Sequence, residues 1–348
     1  MLIETFETSL SAQSLQLIFA LVLGLVFGSA AQSSKFCLRR AVASDAGPDK
    51  SAMSIWICAL GTAVVAFALA SLFGLVDTSD HRFQSSELPV AAIVIGGLLF
   101  GAGMVLTRGC VSRLTVLSAT GNLRAVVVLA VFALVAHASL KGVLAPIRTT
   151  VGSRSFDAPS SVLTHTPAVS LSIGLALLIL SGLLARHSQT KLTHLALGVL
   201  IGIVTVVGWM TTSILLMDEF DPLPVQSAAF TLPWSDTLFW FVASTSIPAG
   251  FGVGFIGGVL AGSFLSASLR GELALLSFET PGQTLRYGTG GALMGVGGVL
   301  AGGCTVGAGL SGGAMLSISA LLALASIVSG ALIMRRILTP RLSAEVAI

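Results

Sequence analysis

The sequence predicts an all-α polytopic membrane protein, an inverted-repeat helical bundle with short re-entrant helices and about nine membrane-spanning segments. Three observations predict it. Hydrophobic residues make up 54% of the 348-residue chain and charged residues only 9%. A soluble domain carries roughly 25% charged residues, so this chain could not cover a water-facing surface. Apolar runs long enough to cross about 30 Å of hydrocarbon recur along it. Finally, the fifteen-residue segment Gly96–Cys110 returns as Gly290–Cys304, with nine identical positions at a constant offset of 194 residues.

Taken in order, the apolar runs are Leu15–Ala31, Ala52–Val76, Leu88–Leu106, Leu123–Ala145, Ala168–Ala185, His194–Met217, Thr237–Leu265, Arg286–Ala301 and Met315–Met334. The first is not a cleavable signal, because Glu4 and Glu7 precede it and no Lys or Arg occurs before Lys35. Pro248 and several glycines interrupt Thr237–Leu265, which either crosses once or re-enters. The longest polar stretches, Ala145–Pro167 and Asp218–Asp236, read as inter-helix loops. The chain is therefore one membrane domain over 1–348. Pseudo-repeat halves at 10–145 and 237–335 are joined by helices within 146–236.

Charge placement orients the segments. Arg186 and Lys191 flank one loop, and Arg335, Arg336 and Arg341 follow the last apolar run. Asp218, Glu219, Asp221 and Asp236 share a loop without Lys or Arg, and Asp77–Glu87 holds Arg82 against three acids. Basic loops favour the cytoplasm, so the N-terminus is expected outside and the C-terminus in the cytoplasm. Under that threading the two Gly-Cys copies run antiparallel, as in an inverted repeat. A weaker repeat aligns Gly24–Arg40 with Gly254–Arg270 at an offset of 230. It places a polar break at Ser33–Arg40 and another at Ser263–Arg270, with Ala267 standing where Cys37 stands in the first.

The four cysteines are Cys37, Cys58, Cys110 and Cys304, and none forms a CxxC pair. A dithiol redox motif or a zinc site is thereby disfavoured. Cys58 lies inside an apolar helix and reads as a small core residue. The other three stand where an apolar run meets small or polar residues, which suits discontinuous helices beside a cavity. Glycine spacing such as Gly97–Gly101 is explained by helix packing, but packing does not explain why both copies end in cysteine. A neutral thiol is a weak donor on a soft sulfur. Such groups pass a sulfur-bearing anion along without holding it tightly. Helix N-termini beginning near Gly109-Cys110 and Gly303-Cys304 add positive dipole ends.

Arg39, Arg40, Arg108, Arg113 and Arg270 either attract anions or serve as inner-side topology charges, the plainer reading for most of them. His137 and Lys141 fall late in one helix, where they snorkel or pair. The apolar segments hold no recurring Asp or Glu for a proton relay. No GxxxxGK[ST] loop occurs either, which disfavours ATP hydrolysis. No catalytic residue, metal, cofactor or nucleic-acid partner is expected.

At these residues the chain resembles the YeeE/YedE family of bacterial and archaeal membrane proteins, which includes thiosulfate permeases. The resemblance rests on Gly97–Gly103 with Gly109-Cys110, on Gly291–Gly303 with Cys304, and on Ser34–Cys37. It implies an hourglass of inverted helical repeats in the bacterial inner membrane. It also implies a relay of thiosulfate through three cysteines, which by position are Cys37, Cys110 and Cys304. Beyond the membrane lipid, it implies a small cytoplasmic sulfur-carrier or sulfurtransferase partner. The function expected is uptake of thiosulfate or a related sulfur anion, with Gly109 and Gly303 as pathway backbone. The alternatives are a membrane-embedded sulfurtransferase or thiol redox enzyme, forming a persulfide or disulfide, and a structural subunit.

Overall fold

The computed structural model describes residues 11–78, 81–157, 167–215 and 224–345. Glu4, Glu7, Asp80, Asp218, Glu219 and Asp221 lie outside them, as does 158–166 of the first polar stretch. The described residues form thirteen α-helices: α1 Ala12–Ser34, α2 Leu38–Ala43, α3 Lys50–Leu72, α4 Val90–Leu106, α5 Val111–Ala119, α6 Leu123–Lys141, α7 Ala145–Gly152, α8 Pro167–Ser188, α9 Leu192–Met210, α10 Thr231–Val242, α11 Phe251–Leu269, α12 Pro281–Leu300 and α13 Ile318–Glu345. A two-residue pairing, β1 Glu87–Leu88 with β2 Phe156–Asp157, closes one loop cluster antiparallel.

Helix starts follow side-chain chemistry. The Asp49 carboxylate accepts from the N–H groups of Ser51 and Ala52 at 2.9 and 3.1 Å and caps α3. Asn122 caps α6 through the Ala125 N–H, and Thr280 caps α12 ahead of Pro281. Each cap satisfies backbone donors that a helix start leaves open.

Eight helical stretches among the described residues are long and apolar enough to cross a membrane. They are α1 with α2, α3, α4 with α5, α6, α8, α9, α11 and α13. α12 is 20 residues long, but its first turns are polar and its remainder glycine-rich. It is not among the eight, against the nine apolar runs of the sequence. The protein is a polytopic all-α membrane protein.

Three readings are corrected. Thr237–Leu265 is not one element, since α10 ends at Val242, the chain breaks through Pro248 and Gly250, and α11 begins at Phe251. The stretch Ala145–Pro167 contains α7, started by Pro146 in its first turn. Asp236 belongs to α10 rather than to a loop.

Packing is by backbone contact at glycine. A Cβ on Gly24, Gly28, Gly258 or Gly262 would collide with a carbonyl oxygen of the facing helix, so α1 and α11 touch main chain to main chain. Residue numbers rise together along that seam, so the two helices are parallel. α4 and α12 touch in the same way: a Cβ on Gly103 would stand 2.5 Å from Gly290 O, and one on Gly297 would stand 2.5 Å from Phe100 N. There the numbers rise on one helix as they fall on the other, so the two Gly-Cys copies are antiparallel. Without a hydrophobic drive in lipid, such close approach is what holds helices together. Phe27, Phe230 and Phe255 fill the centre, with ring centroids 5.5–5.8 Å apart.

Overpacking a tight seam costs about 1–3 kcal/mol, whereas a Cβ on Gly257 meets no atom within 4 Å. Gly258→Ala is therefore expected to lower the melting temperature of the purified protein in detergent. Gly257→Ala, one residue away, is expected to leave it unchanged or raise it.

Candidate functional site

The site is made by three helix stops of one kind. α1 ends on Lys35 in the left-handed conformation (φ 54°), and the Phe36 N–H closes back on Ala31 O at 3.1 Å. α4 ends before Arg108 (φ 55°), and the Gly109 N–H closes on Met104 O at 3.1 Å. α12 ends before Gly302 (φ 73°). This is the six-to-one closure of a helix C-terminus, here on two non-glycine residues. In each case the cysteine stands two residues after the left-handed one: Cys37 after Lys35, Cys110 after Arg108, Cys304 after Gly302. Cys37 and Cys110 then serve as extended N-cap residues of α2 and α5.

The weaker repeat does not produce a fourth break. Ser263–Leu269 is continuous helix within α11, and Ala267 is a fully buried helical residue. The left-handed residue of that region is Gly271, beyond the helix end. Small residues alone do not stop a helix in a tight seam. The resemblance between Gly24–Arg40 and Gly254–Arg270 reflects the shared seam of α1 and α11.

The three stops bring their sulfurs into a row. The Cys37 and Cys110 side chains lie close together, and Cys304 is near enough to Cys110 for their charges to interact. All four cysteines are free and buried; Cys110 and Cys304 are 1% and 0% exposed. Cys110 Sγ stands 3.1 Å from Ser112 Oγ. Cys304 Sγ accepts the Gly307 N–H at 3.3 Å, at the start of a π-helical turn over Gly307–Gly312. A Cβ on Gly303 would stand 2.8 Å from Ala308 N, so that position is restricted to glycine, whereas Gly109 meets only the Leu114 side chain at 3.2 Å. Cys58 is elsewhere, its Sγ 3.7 Å from Leu195 O between α3 and α9.

The groups touching the row are hydroxyls, backbone N–H groups and the thiols themselves. Among the described residues no cluster of three His, Cys, Asp or Glu side chains could hold a metal. Four of the five arginines singled out in the sequence are ion-paired: Arg39 and Arg108 with Asp45, Arg40 with Asp49 at 2.8 Å, and Arg270 with Glu272 at 3.2 Å. The fifth, Arg113, lies close to Cys37 and Cys110 and donates to Gln32 Oε1 at 3.2 Å. Gln32 in turn donates to Glu272 at 2.9 Å. His137 is paired near its helix end, its Nδ1 3.0 Å from Ser235 Oγ and its ring stacked on Phe239.

Arg82 escaped the sequence reading. It lies on the Cys304 side of the row and lines a cavity of about 260 Å³ with Glu87, Ala301, Gly302 and Ser319. The loop folds inward because Phe83 is buried against Gly312 and its carbonyl accepts from Ser317 Oγ at 2.6 Å. The available signal was one cation among three acids in Asp77–Glu87, which topology rules discount.

Eight helical stretches of membrane-spanning length among the described residues, interrupted at buried cysteines, define a multi-pass membrane protein. The chain belongs to the sulphur transport family, whose sequence model matches residues 33–333. It is similar to the thiosulfate transporter TsuA of Spirochaeta thermophila, 27% identical over 307 residues covering 82% of this chain and 88% of that protein. It is also similar to the thiosulfate transporter TsuA of Escherichia coli K12, 22% identical over 316 residues covering 82% and 84%. Both relatives are named as transporters, not enzymes.

His81 stacks edge-on to Trp209, with ring centroids 4.8 Å apart, and its Nδ1 accepts the Phe83 N–H at 3.2 Å. Burial, helped by the neighbouring Arg82 charge, lowers its pKa from 6.5 to about 4. The stability that neutral His81 contributes is full above 6.5 and is lost as pH falls toward 4. The melting temperature is expected to drop on acidification through this window, and His81→Gln is expected to flatten the drop. An identical profile in the variant would assign the transition to another group.

Proposed function

We propose that this protein is an inner-membrane permease that takes up thiosulfate or a related sulfur anion by relay along Cys304, Cys110 and Cys37. The observation that carries this reading is the row itself. Three separate helix stops deliver a cysteine to one buried neighbourhood, each two residues after a left-handed residue. Thiols are soft, weak donors. They replace part of the hydration of a sulfur-bearing anion without the tight hold that would stop release. Gly109 and Gly303 supply the backbone that lets the chain turn at the thiols. Family membership and the names of the relatives support the cargo class.

Orientation follows from charge. Lys35, Arg39, Arg40, Arg186, Lys191, Arg270 and Arg335 gather at one end of the rods. Placing that end in the cytoplasm satisfies the positive-inside rule and leaves the N-terminus outside and the C-terminus inside. The antiparallel α4–α12 pair supports an inverted relation between the two Gly-Cys copies of halves 10–145 and 237–335, while α1 and α11 run parallel. A dianion moving into a negative-inside cell climbs about 2.3 kcal/mol per charge per 100 mV. Consumption by a small sulfur carrier or sulfurtransferase at the basic face would offset that climb.

Labelled thiosulfate uptake into liposomes holding this chain alone tests the reading. Cys110→Ala and Cys304→Ala are each expected to lower the rate at least about tenfold, equivalent to about 1.4 kcal/mol. Cys37→Ala is expected to lower it as well, and Cys58→Ala to leave it unchanged. Normal uptake by both the Cys110 and Cys304 variants at equal protein levels would end the relay reading. A persulfide trapped on either cysteine during turnover would favour sulfurtransferase chemistry instead.

A further inference from the structure

Most buried hydroxyls near the waist have a partner, and the reason is local. Thr107 donates to Gly103 O at 3.0 Å, Thr115 to Val111 O at 2.9 Å and Ser34 to Ala30 O at 2.7 Å. Each uses a helical carbonyl four residues back. Thr305 has no such carbonyl, because Ala301–Cys304 is the break after α12 and turns through Gly302. Its side chain is 1% exposed, and its Oγ1 has no hydrogen-bond partner among the described residues. It follows Cys304 directly, and its side chain lies close to the Cys110 thiol. The Ser112 hydroxyl, by contrast, is satisfied by the Cys110 sulfur at 3.1 Å.

Leaving a buried hydroxyl unpaired costs roughly 1–3 kcal/mol, and a valine of the same shape would avoid the cost. The donor is thus held in readiness at the point where the row passes from one Gly-Cys copy to the other. A thiol suits a sulfur atom, whereas an O–H suits an anionic oxygen, in a shorter and stronger charge-assisted bond. We infer that Thr305 is a specificity-determining residue, its hydroxyl donating to an oxygen of the passing anion while the thiols of Cys110 and Cys304 meet its sulfur. The waist thereby selects sulfur anions that carry oxygen over those that do not. This assignment rests on the permease reading and names which atoms of the cargo the site distinguishes.

A second orphaned hydroxyl provides the control. Thr231 Oγ1 is also buried and unpartnered, but it stands over Gly298 on the flank of α12, 3.0 Å from where a Cβ there would lie. The experiment measures labelled thiosulfate uptake by the full chain in liposomes, with hydrosulfide as the oxygen-free competitor. Thr305→Val is expected to lower uptake about tenfold or more, as for one hydrogen bond to a charged group. It is also expected to make hydrosulfide a relatively stronger competitor, with a melting temperature unchanged or raised. Thr305→Ser is expected to restore uptake and the native competition pattern, and Thr231→Val to leave both as they are. Native uptake by Thr305→Val, or an equal loss in Thr231→Val, overturns the assignment. If Thr305→Val does not fold, Thr305→Ala is read by the same criteria. A native chain that takes up no thiosulfate overturns the permease reading itself, an outcome distinct from a variant that transports normally.

Discussion

Main-chain contact between helices at glycine is the constraint on which the rest of this structure depends. Lipid offers no hydrophobic gain for joining two apolar rods, so association relies on close approach. At the α1–α11 and α4–α12 seams a glycine Cα meets the carbonyl or N–H of the facing helix, leaving no volume for any larger residue. Those seams hold the rods so close that the chain segments leaving α1, α4 and α12 bring Cys37, Cys110 and Cys304 near one another. A helix end in a membrane exposes unpaired carbonyls and needs shelter within protein. The seams provide that shelter, and the cysteines occupy it.

The stops and the thiols are therefore one device. A helix that closes on a left-handed residue turns its chain sharply, and the second residue after the turn emerges at the rod's tip. Repeated three times, this turn gathers residues from sequence positions 37, 110 and 304. Lys35 and Arg108 adopt the left-handed conformation without being glycine, at a cost of roughly 1–2 kcal/mol each. In the second copy Gly302 makes the turn freely, but Gly303 is held to glycine by Ala308. The two copies spend their glycines at different points of the same turn.

Much of this was legible in the residues. Hydropathy placed most of the rods to within a few residues, Thr237–Leu265 excepted, and the charge pattern anticipated the antiparallel Gly-Cys copies. The surroundings of Cys58 marked it as packing. What could not be read were decisions made by tertiary contact. The small residues of Ser263–Arg270 look like those of Ser33–Arg40, yet one segment stays helical and the other breaks. Nothing local distinguishes a glycine seam from a glycine stop. α7 hides in a polar stretch because its helix propensity is ordinary. Asp236 looked like loop because its charge outweighed the helical pattern around it. Arg82 and Thr305 were invisible for a different reason: each matters through what the fold brings beside it, and neither sits in a repeated motif.

The α4–α12 seam joins segments 194 residues apart, and this separation orders the protein's assembly. Chains emerge N-terminus first, and contacts between distant segments form last. Cys37 and Cys110 belong to the part made early, whereas Cys304 arrives with the final third. During synthesis the first two thiols stand as a pair before the third completes the row. The proposed relay is thus incomplete until the last helices dock, and a chain truncated before α12 would lack its third thiol.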